Sequence, residues 1–190
     1  KRLMALKILP PEATKDKRRI EQFKAEARAC AQLDHPNIVQ ATDAGEVNKR
    51  HYLVTQLLDG CDLHAMVTRT GPTPIADACE IARQAALGLE HVRQNSLVHR
   101  DVKPANVLVT NEGEPQLTDF GLARFRADSS LTATGDVMGT LRYMSPEQAA
   151  GKSALIDQRT DVYSLGITVY ELLTLHDAFD GDDRQQILTR

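Results

Sequence analysis

The 190-residue chain lacks a dominant charge, a set of paired cysteines and a long hydrophobic run. Its formal net charge is −3, so its electrostatics give no case for nucleic acid as the main partner. Three cysteines, Cys30, Cys61 and Cys79, are odd in number, far apart and form no CxxC pair. That argues against a disulfide framework or a zinc site and fits a reducing compartment. The six histidines show no HExxH or other metal-ligand spacing. No apolar run approaches the roughly 18 residues of a membrane span, and no signal peptide opens the chain. The chain begins at Lys1, directly in strand-like sequence, and reads as a piece of a longer polypeptide.

What is present is ordinary for a globular protein: 42% hydrophobic and 26% charged residues, in a length that suits one domain or two small lobes sharing a cleft. Met4 to Leu9, bounded by Pro10-Pro11, reads as a buried strand. Over residues 13–33 Ile20, Phe23, Ala27 and Cys30 recur at helical spacing, and Glu26 falls on the margin of that stripe. After His35-Pro36-Asn37, Ile38-Val39 and Tyr52-Leu53-Val54 read as two strands around a turn at residues 48–50.

Beyond Asp59-Gly60 the texture becomes helical. Leu63, Met66 and Val67 predict a short helix, and Thr73-Pro74 predicts an N-cap with proline at the first position of the next. That helix carries Ile75, Ala78, Cys79, Ala82, Ala86 and Leu89 along one face. Two strands around the turn Asn111-Glu112-Gly113 follow. Residues 121–145 have no sustained period, and so long a loop in a compact domain is usually functional. Val162, Leu165, Val169, Leu172 and Leu173 predict a final apolar helix.

The chemistry concentrates in His99-Arg100-Asp101-Val102-Lys103-Pro104-Ala105-Asn106, which matches the pattern HRDxxxxN, with Asp119-Phe120-Gly121 18 residues after Asp101. Lys7 follows Ala5-Leu6, Glu26 lies 19 residues further on, and Met144-Ser145-Pro146-Glu147 closes the long loop. By these motifs, in this order, the chain resembles the Hanks-type serine/threonine protein kinases over essentially its whole length. The segments 99–109 and 139–148 are similar in style to bacterial members. The fold implied is α+β and two-lobed, with residues 1–58 as a partial small lobe ending in a hinge and residues 59–190 as a partial helical lobe.

The resemblance also implies roles. Asp101 accepts or orients the proton of a substrate hydroxyl, and Lys103 meets the γ-phosphate of ATP, a lysine typical of serine/threonine rather than tyrosine specificity. Asn106 and Asp119 supply oxygen ligands for Mg²⁺. Lys7 holds the α- and β-phosphates and Glu26 holds Lys7. Thr55 is the gatekeeper, Gln56 and Leu58 offer backbone groups to the adenine edge, and Ala5 and Leu108 sandwich the ring. Arg100 awaits a phosphate on the loop at Thr132 or Thr134, added by autophosphorylation in a possible homodimer, while Thr140 sits in the substrate-binding segment touching Asp101 and Lys103. Asp161 alone reads as an N-cap, and the resemblance makes it a brace for the catalytic loop. His99 and Phe120 are packing residues. The partners implied are ATP and proteins bearing Ser or Thr, with a cytoplasmic kinase portion of a parent of the kind that often continues into a membrane anchor.

The pattern has departures. The Gly-rich loop expected before Lys7 and the family's last helices are missing, so the fold is expected to be incomplete at both ends, and Glu147 has no identifiable partner in this chain. Ser145 replaces alanine, a mild change. The alternative function is a non-catalytic, truncated or pseudokinase-like binding module. Retention of Lys7, Asp101 and Asp119 favours the enzyme. A small-molecule phosphotransferase is disfavoured by the long segment 121–147.

Overall fold

The structure, a computed structural model, describes residues 3–9, 17–120 and 136–179. It gives the backbone but not the side chains of residues 17–19, 22, 26, 136–138 and 153. Among the described residues two three-stranded antiparallel sheets sit beside six helices. The first sheet has the order β1-β3-β2, with β1 Met4–Ile8, β2 Ala41–Val47 and β3 Arg50–Gln56. Helix α1, Lys17–Cys30, packs on it through Phe23, Ala27 and Cys30, the stripe that helical spacing predicts. The β2–β3 hairpin turns on Asn48 and Lys49, whose φ values of 52° and 63° are those of a two-residue type I′ turn.

Two expectations are corrected in this sheet. Ile38 and Val39 are not the first hairpin strand. Ile38 forms an isolated parallel bridge with Leu117, and the Val39 N–H donates to the Leu117 carbonyl at 2.9 Å, so these buried residues tie the first sheet's approach to the second. The strand that pairs with β3 is the mostly exposed Ala41–Val47, whose residues carry little hydrophobic signal. Nor is β1 buried throughout. It is an edge strand, and Leu6 and Ile8 are 59% and 51% exposed.

The second sheet, β4 Gly60–Asp62, β5 Val107–Thr110 and β6 Pro115–Leu117, lies against the helices. A Cβ on Gly60 would sit 2.0 Å from the Val109 carbonyl oxygen, so only glycine lets β4 approach β5 this closely. Helix α2, Leu63–Thr70, starts on Asp62, whose side chain accepts from the Ala65 N–H at 2.8 Å. Helix α3, Ile75–Gln94, begins after Pro74. The predicted cap Thr73 does not cap it. Its N–H instead donates to the Leu172 carbonyl at 2.8 Å.

The buried face of α3 is Ala78, Ile81, Ala85, Gly88, Leu89 and Val92, not the face containing Cys79 and Ala86, which are exposed, as is Ile75. Small residues populate both faces, so periodicity does not choose between them. The close approach of Gly88 to Asn37 and Leu117 does. Exposed Glu80–Arg83 and Glu90–Arg93 pairs line the other side, where solvent screens them.

Helix α4, Asp136–Leu141, forms within the segment expected to be irregular, and α5, Pro146–Ala149, follows. Helix α6, Gln158–Thr174, is capped by Asp157 and ends at Leu175, with φ 58°. Its buried residues are Thr160, Asp161, Ser164, Thr168 and Leu172, while Val162 is 67% exposed, against the apolar stripe expected. The polar face can be buried because the helix satisfies it. Ser164 Oγ donates to the Thr160 carbonyl at 3.0 Å and Thr168 Oγ1 to the Ser164 carbonyl at 2.9 Å.

The main core joins Leu63 and Val67 of α2, Ile81, Ala85 and Leu89 of α3, Val102, Val107, Leu117 and Leu172. Leu172 is fully buried at the contact of α3 with α6. Leu172→Ala is expected to destabilise the fold by about 3 kcal/mol, seen as a lower urea midpoint at unchanged m-value.

Candidate active site

The loop before β5 carries the chemistry, and the site begins with what holds that loop. Asp161, on the first turns of α6, is buried and accepts from the backbone N–H of His99 at 2.8 Å and of Arg100 at 2.7 Å. Burial pushes the Asp161 carboxyl above its ordinary value, and the two N–H groups and the nearby His99 and Arg100 oppose that. Arg100 is thereby fixed in the left-handed region, φ 70°, at a cost of about 1–2 kcal/mol for a residue with a side chain. Asp161 is a brace; the residue that caps α6 is Asp157.

His99 is fully buried, its ring 4.4 Å from that of Phe120. Its Nδ1 accepts from the Asp101 N–H at 3.3 Å, so the ring proton sits on Nε2, which donates to the Thr118 carbonyl at 3.0 Å. Desolvation pushes its pKa down, and a second proton would bring Nδ1–H against the Asp101 N–H. His99 and Phe120 are packing groups.

Asp101 follows, its side chain 4% exposed. Its Oδ2 accepts from Asn106 Nδ2 at 2.8 Å and lies 3.1 Å from Lys103 Nζ. The same Asn106 Nδ2 donates to the Asp101 carbonyl at 2.7 Å, so a 3₁₀ turn over Pro104–Asn106 folds the asparagine back onto the aspartate. Lys103 Nζ also donates to Thr140 Oγ1 at 2.8 Å. Thr140 thus meets Lys103 as expected. Asp119, φ 67°, forms an ion pair with Lys7 of β1 and accepts from Thr118 Oγ1 at 3.3 Å. Lys103, Asn106, Asp119 and Thr140 line one cavity of about 480 Å³, together with Tyr143 and Glu171. There the Tyr143 hydroxyl donates to Glu171, and burial together with that carboxylate raises the phenol's pKa.

The remaining predicted residues are placed as follows. Ala5 lies on β1, Thr55 and Gln56 end β3, Leu58 follows them, and Leu108 is on β5. Thr55 is buried, and the Gln56 N–H is committed to the Gln40 carbonyl at 2.9 Å. The side chain of Glu26, and Thr132 and Thr134 entirely, lie outside the described residues.

Glu147 corrects an expectation, since it has a partner within the chain. Thr160 Oγ1 donates to its Oε1 at 2.5 Å, which holds its carboxyl below the ordinary value. Ser145 does more than replace alanine. Fully buried, it caps α5 in a capping box with Gln148 and meets Thr160 Oγ1 at 3.2 Å. The Ser-x-x-Gln spacing of residues 145–148 was a signal for that box. No comparable signal pointed to Thr160.

Comparison with known proteins agrees with this geometry. The model of the family described as protein kinase domain matches residues 1–190. The chain belongs to that family. It is 39% identical over 186 residues to the serine/threonine-protein kinase PrkC of Bacillus subtilis, and 40% identical over 186 residues to PknL of Mycobacterium tuberculosis. These alignments cover 98% of this chain but only 28% and 46% of the two relatives, so the chain spans less than half the length of either. Among solved structures it resembles the Mycobacterium tuberculosis PknI kinase domain, with a TM-score of 0.74 and 29% identity over 93% of this chain and 66% of that one. It also resembles Rad53 1-466 in complex with AMP-PNP, with a TM-score of 0.76 and 27% identity over 98% of this chain and 45% of that one. Among the described residues no helix is long and apolar enough to cross a membrane.

The buried imidazole has a consequence for stability. The folded pKa of His99 is depressed, so the unfolded chain binds the proton first as pH falls. Its stabilising contribution is complete above the unfolded value, near 6.5, and is lost below it at up to about 1.4 kcal/mol per pH unit. Urea titrations from pH 7.5 to 5 are expected to show that slope, and His99→Gln, which offers a donor and an acceptor without titrating, to have a slope one proton smaller.

Proposed function

We propose that this chain carries the catalytic centre of an ATP-dependent protein kinase that phosphorylates serine and threonine. The observation that supports it most directly is the convergence of Lys103, Asn106, Asp119 and Thr140 on one cavity, with Asp101 held against Lys103 and Asn106. Phosphoryl transfer requires little covalent help from a protein, only alignment of the attacking hydroxyl with the leaving oxygen and neutralisation of charge. Asp101, fixed by Asn106 and Lys103, orients the substrate hydroxyl and takes its proton. Lys103 lies between Asp101 and Thr140, where it can meet the transferred phosphoryl group.

Lys7 and Glu26 are read as the pair that holds the other phosphates. In this structure the Lys7 ammonium meets Asp119, the same electrostatic demand that a divalent cation would answer. Asn106 commits its Nδ2 to Asp101, which leaves its amide oxygen for a cation. Asn106 and Asp119 therefore form an all-oxygen donor pair that fits Mg²⁺, which when bound neutralises phosphate charge. Thr55, Leu58, Ala5 and Leu108 are read as the adenine pocket. Since the Gln56 N–H is already taken, Gln56 contributes its carbonyl. The need for ATP places the kinase portion in the cytoplasm, with Ser/Thr proteins as substrates and a second copy as the partner for autophosphorylation.

Phosphotransfer from radiolabelled ATP by the intact protein, to itself or to a Ser/Thr substrate, tests this. Asp101→Asn is expected to lower the rate by about three orders of magnitude with ATP binding retained, and Asp119→Asn to weaken Mg²⁺-dependent nucleotide binding. Wild-type rates in both variants would sink the assignment, and an inactive wild type would leave the binding-module alternative. Thr132→Ala combined with Thr134→Ala is expected to lower activity by removing the phosphate that Arg100 answers. Full activity in the double variant would exclude those acceptors.

A further inference from the structure

Asp161 accepts a hydrogen bond from the Arg100 N–H. The peptide group that joins Arg100 to the catalytic Asp101 is gripped at both of its own ends. Its N–H, on Asp101, donates to His99 Nδ1 at 3.3 Å, and its carbonyl, on Arg100, accepts from Gln148 Nε2 at 2.9 Å, 48 residues away in the sequence. The Gln148 Oε1 accepts from the Ser145 N–H at 3.0 Å. A backbone N–H can only donate and a carbonyl can only accept, so the orientation of this amide is unambiguous. One side chain thus closes the first turn of α5 and clamps the peptide before Asp101. Ser145, in turn, reaches α6 through Thr160, and Thr160 holds Glu147.

We propose that Gln148 is a positioning residue for phosphoryl transfer. By holding the Arg100 carbonyl it sets the plane of the peptide from which the Asp101 side chain projects, and it couples that plane to the Ser145-Pro146-Glu147 turn. Gln148 touches no reacting atom. Its effect passes through Arg100 to Asp101, and the inference rests on the kinase reading above.

Gln148→Glu separates the two tasks of the side chain. One carboxylate oxygen still accepts from the Ser145 N–H, and serine followed by glutamate three residues on is itself a capping box, so the turn is kept. The other oxygen faces the Arg100 carbonyl without a proton, so the clamp is lost until the carboxyl is protonated. Gln148→Met removes both bonds without adding charge. The experiment measures kcat and KM for ATP in the intact protein and both variants between about pH 5.5 and 8.5, with urea midpoints alongside.

At about pH 8 both variants are expected to lose roughly tenfold in kcat, with KM for ATP within about twofold of wild type. The ratio of Gln148→Glu to wild type is expected to rise as pH falls, while that of Gln148→Met stays flat. An active wild type with Gln148→Glu at the same kcat, or with a pH-independent deficit, overturns the positioning role alone. If Gln148→Glu fails to fold, Gln148→Met decides, and wild-type kcat there overturns the role. An inactive wild type overturns the kinase reading and this inference with it.

Discussion

A buried carboxylate that accepts from two consecutive backbone N–H groups leaves the chain around it very little freedom. Asp161 holds His99 and Arg100 in this way, and the geometry of the site descends from that grip. Removing the carboxylate would leave two buried N–H groups without acceptors, and keeping it without them would leave a buried charge. Each side therefore holds the other in place. Arg100 adopts a left-handed backbone because its N–H must reach Asp161, and the strain is stored one residue before Asp101. Helix α6 thereby acts as the post on which this loop is mounted, and Asp161 is the charged member of its largely polar buried face.

A second constraint joins the parts that this post does not reach. Phe120 packs against all three hydrophobic clusters: the core of α2, α3 and α6, the core beneath the first sheet, and the small cluster of Leu33, Ile38 and Val92. Its neighbour Asp119 forms the ion pair with Lys7, and its ring contacts His99. The backbone link through residues 37–39 supports the same junction. Leu117 N–H donates to the Asn37 carbonyl at 2.9 Å, and Asn37 Nδ2 reaches the Pro115 carbonyl at 3.0 Å and Gln84 Oε1 at 2.7 Å. A change in the side-chain position of Phe120 would be felt in both sheets and at the lysine together. Lys7 and Asp119 thus answer one another's charge at that junction.

Much of the candidate site was legible from the chain because its groups lie at close sequence separation. Residues 99–106 form one loop that ends in the 3₁₀ turn Pro104–Asn106, and the contacts among Asp101, Lys103 and Asn106 are local, so their spacing carries their geometry. The strand–turn–strand reading around residues 111–113 succeeded for the same reason, and around 48–50 the turn and its second strand did while the first strand was misplaced, since short turns write their own signals. The readings that failed involve choices between faces. On α3 small apolar residues occur on two sides, and on α6 Thr160, Ser164 and Thr168 are buried beside Leu172 while Val162 is exposed. A helical period describes a stripe but does not say what lies opposite it.

The chain by itself determined most of the elements and the close spacing of Asp101, Lys103 and Asn106, because these follow from local periodicity, turn residues and short fixed spacings. Only the tertiary structure decided which groups meet across long separations: Asp161 with His99 and Arg100, Lys7 with Asp119, Glu147 with Thr160, and Gln148 with Arg100. Those pairings satisfy buried polar groups, and a buried polar group accepts whichever partner the packing brings within about 3 Å of it. Packing is a property of the whole chain, so no stretch of sequence around either partner encodes it.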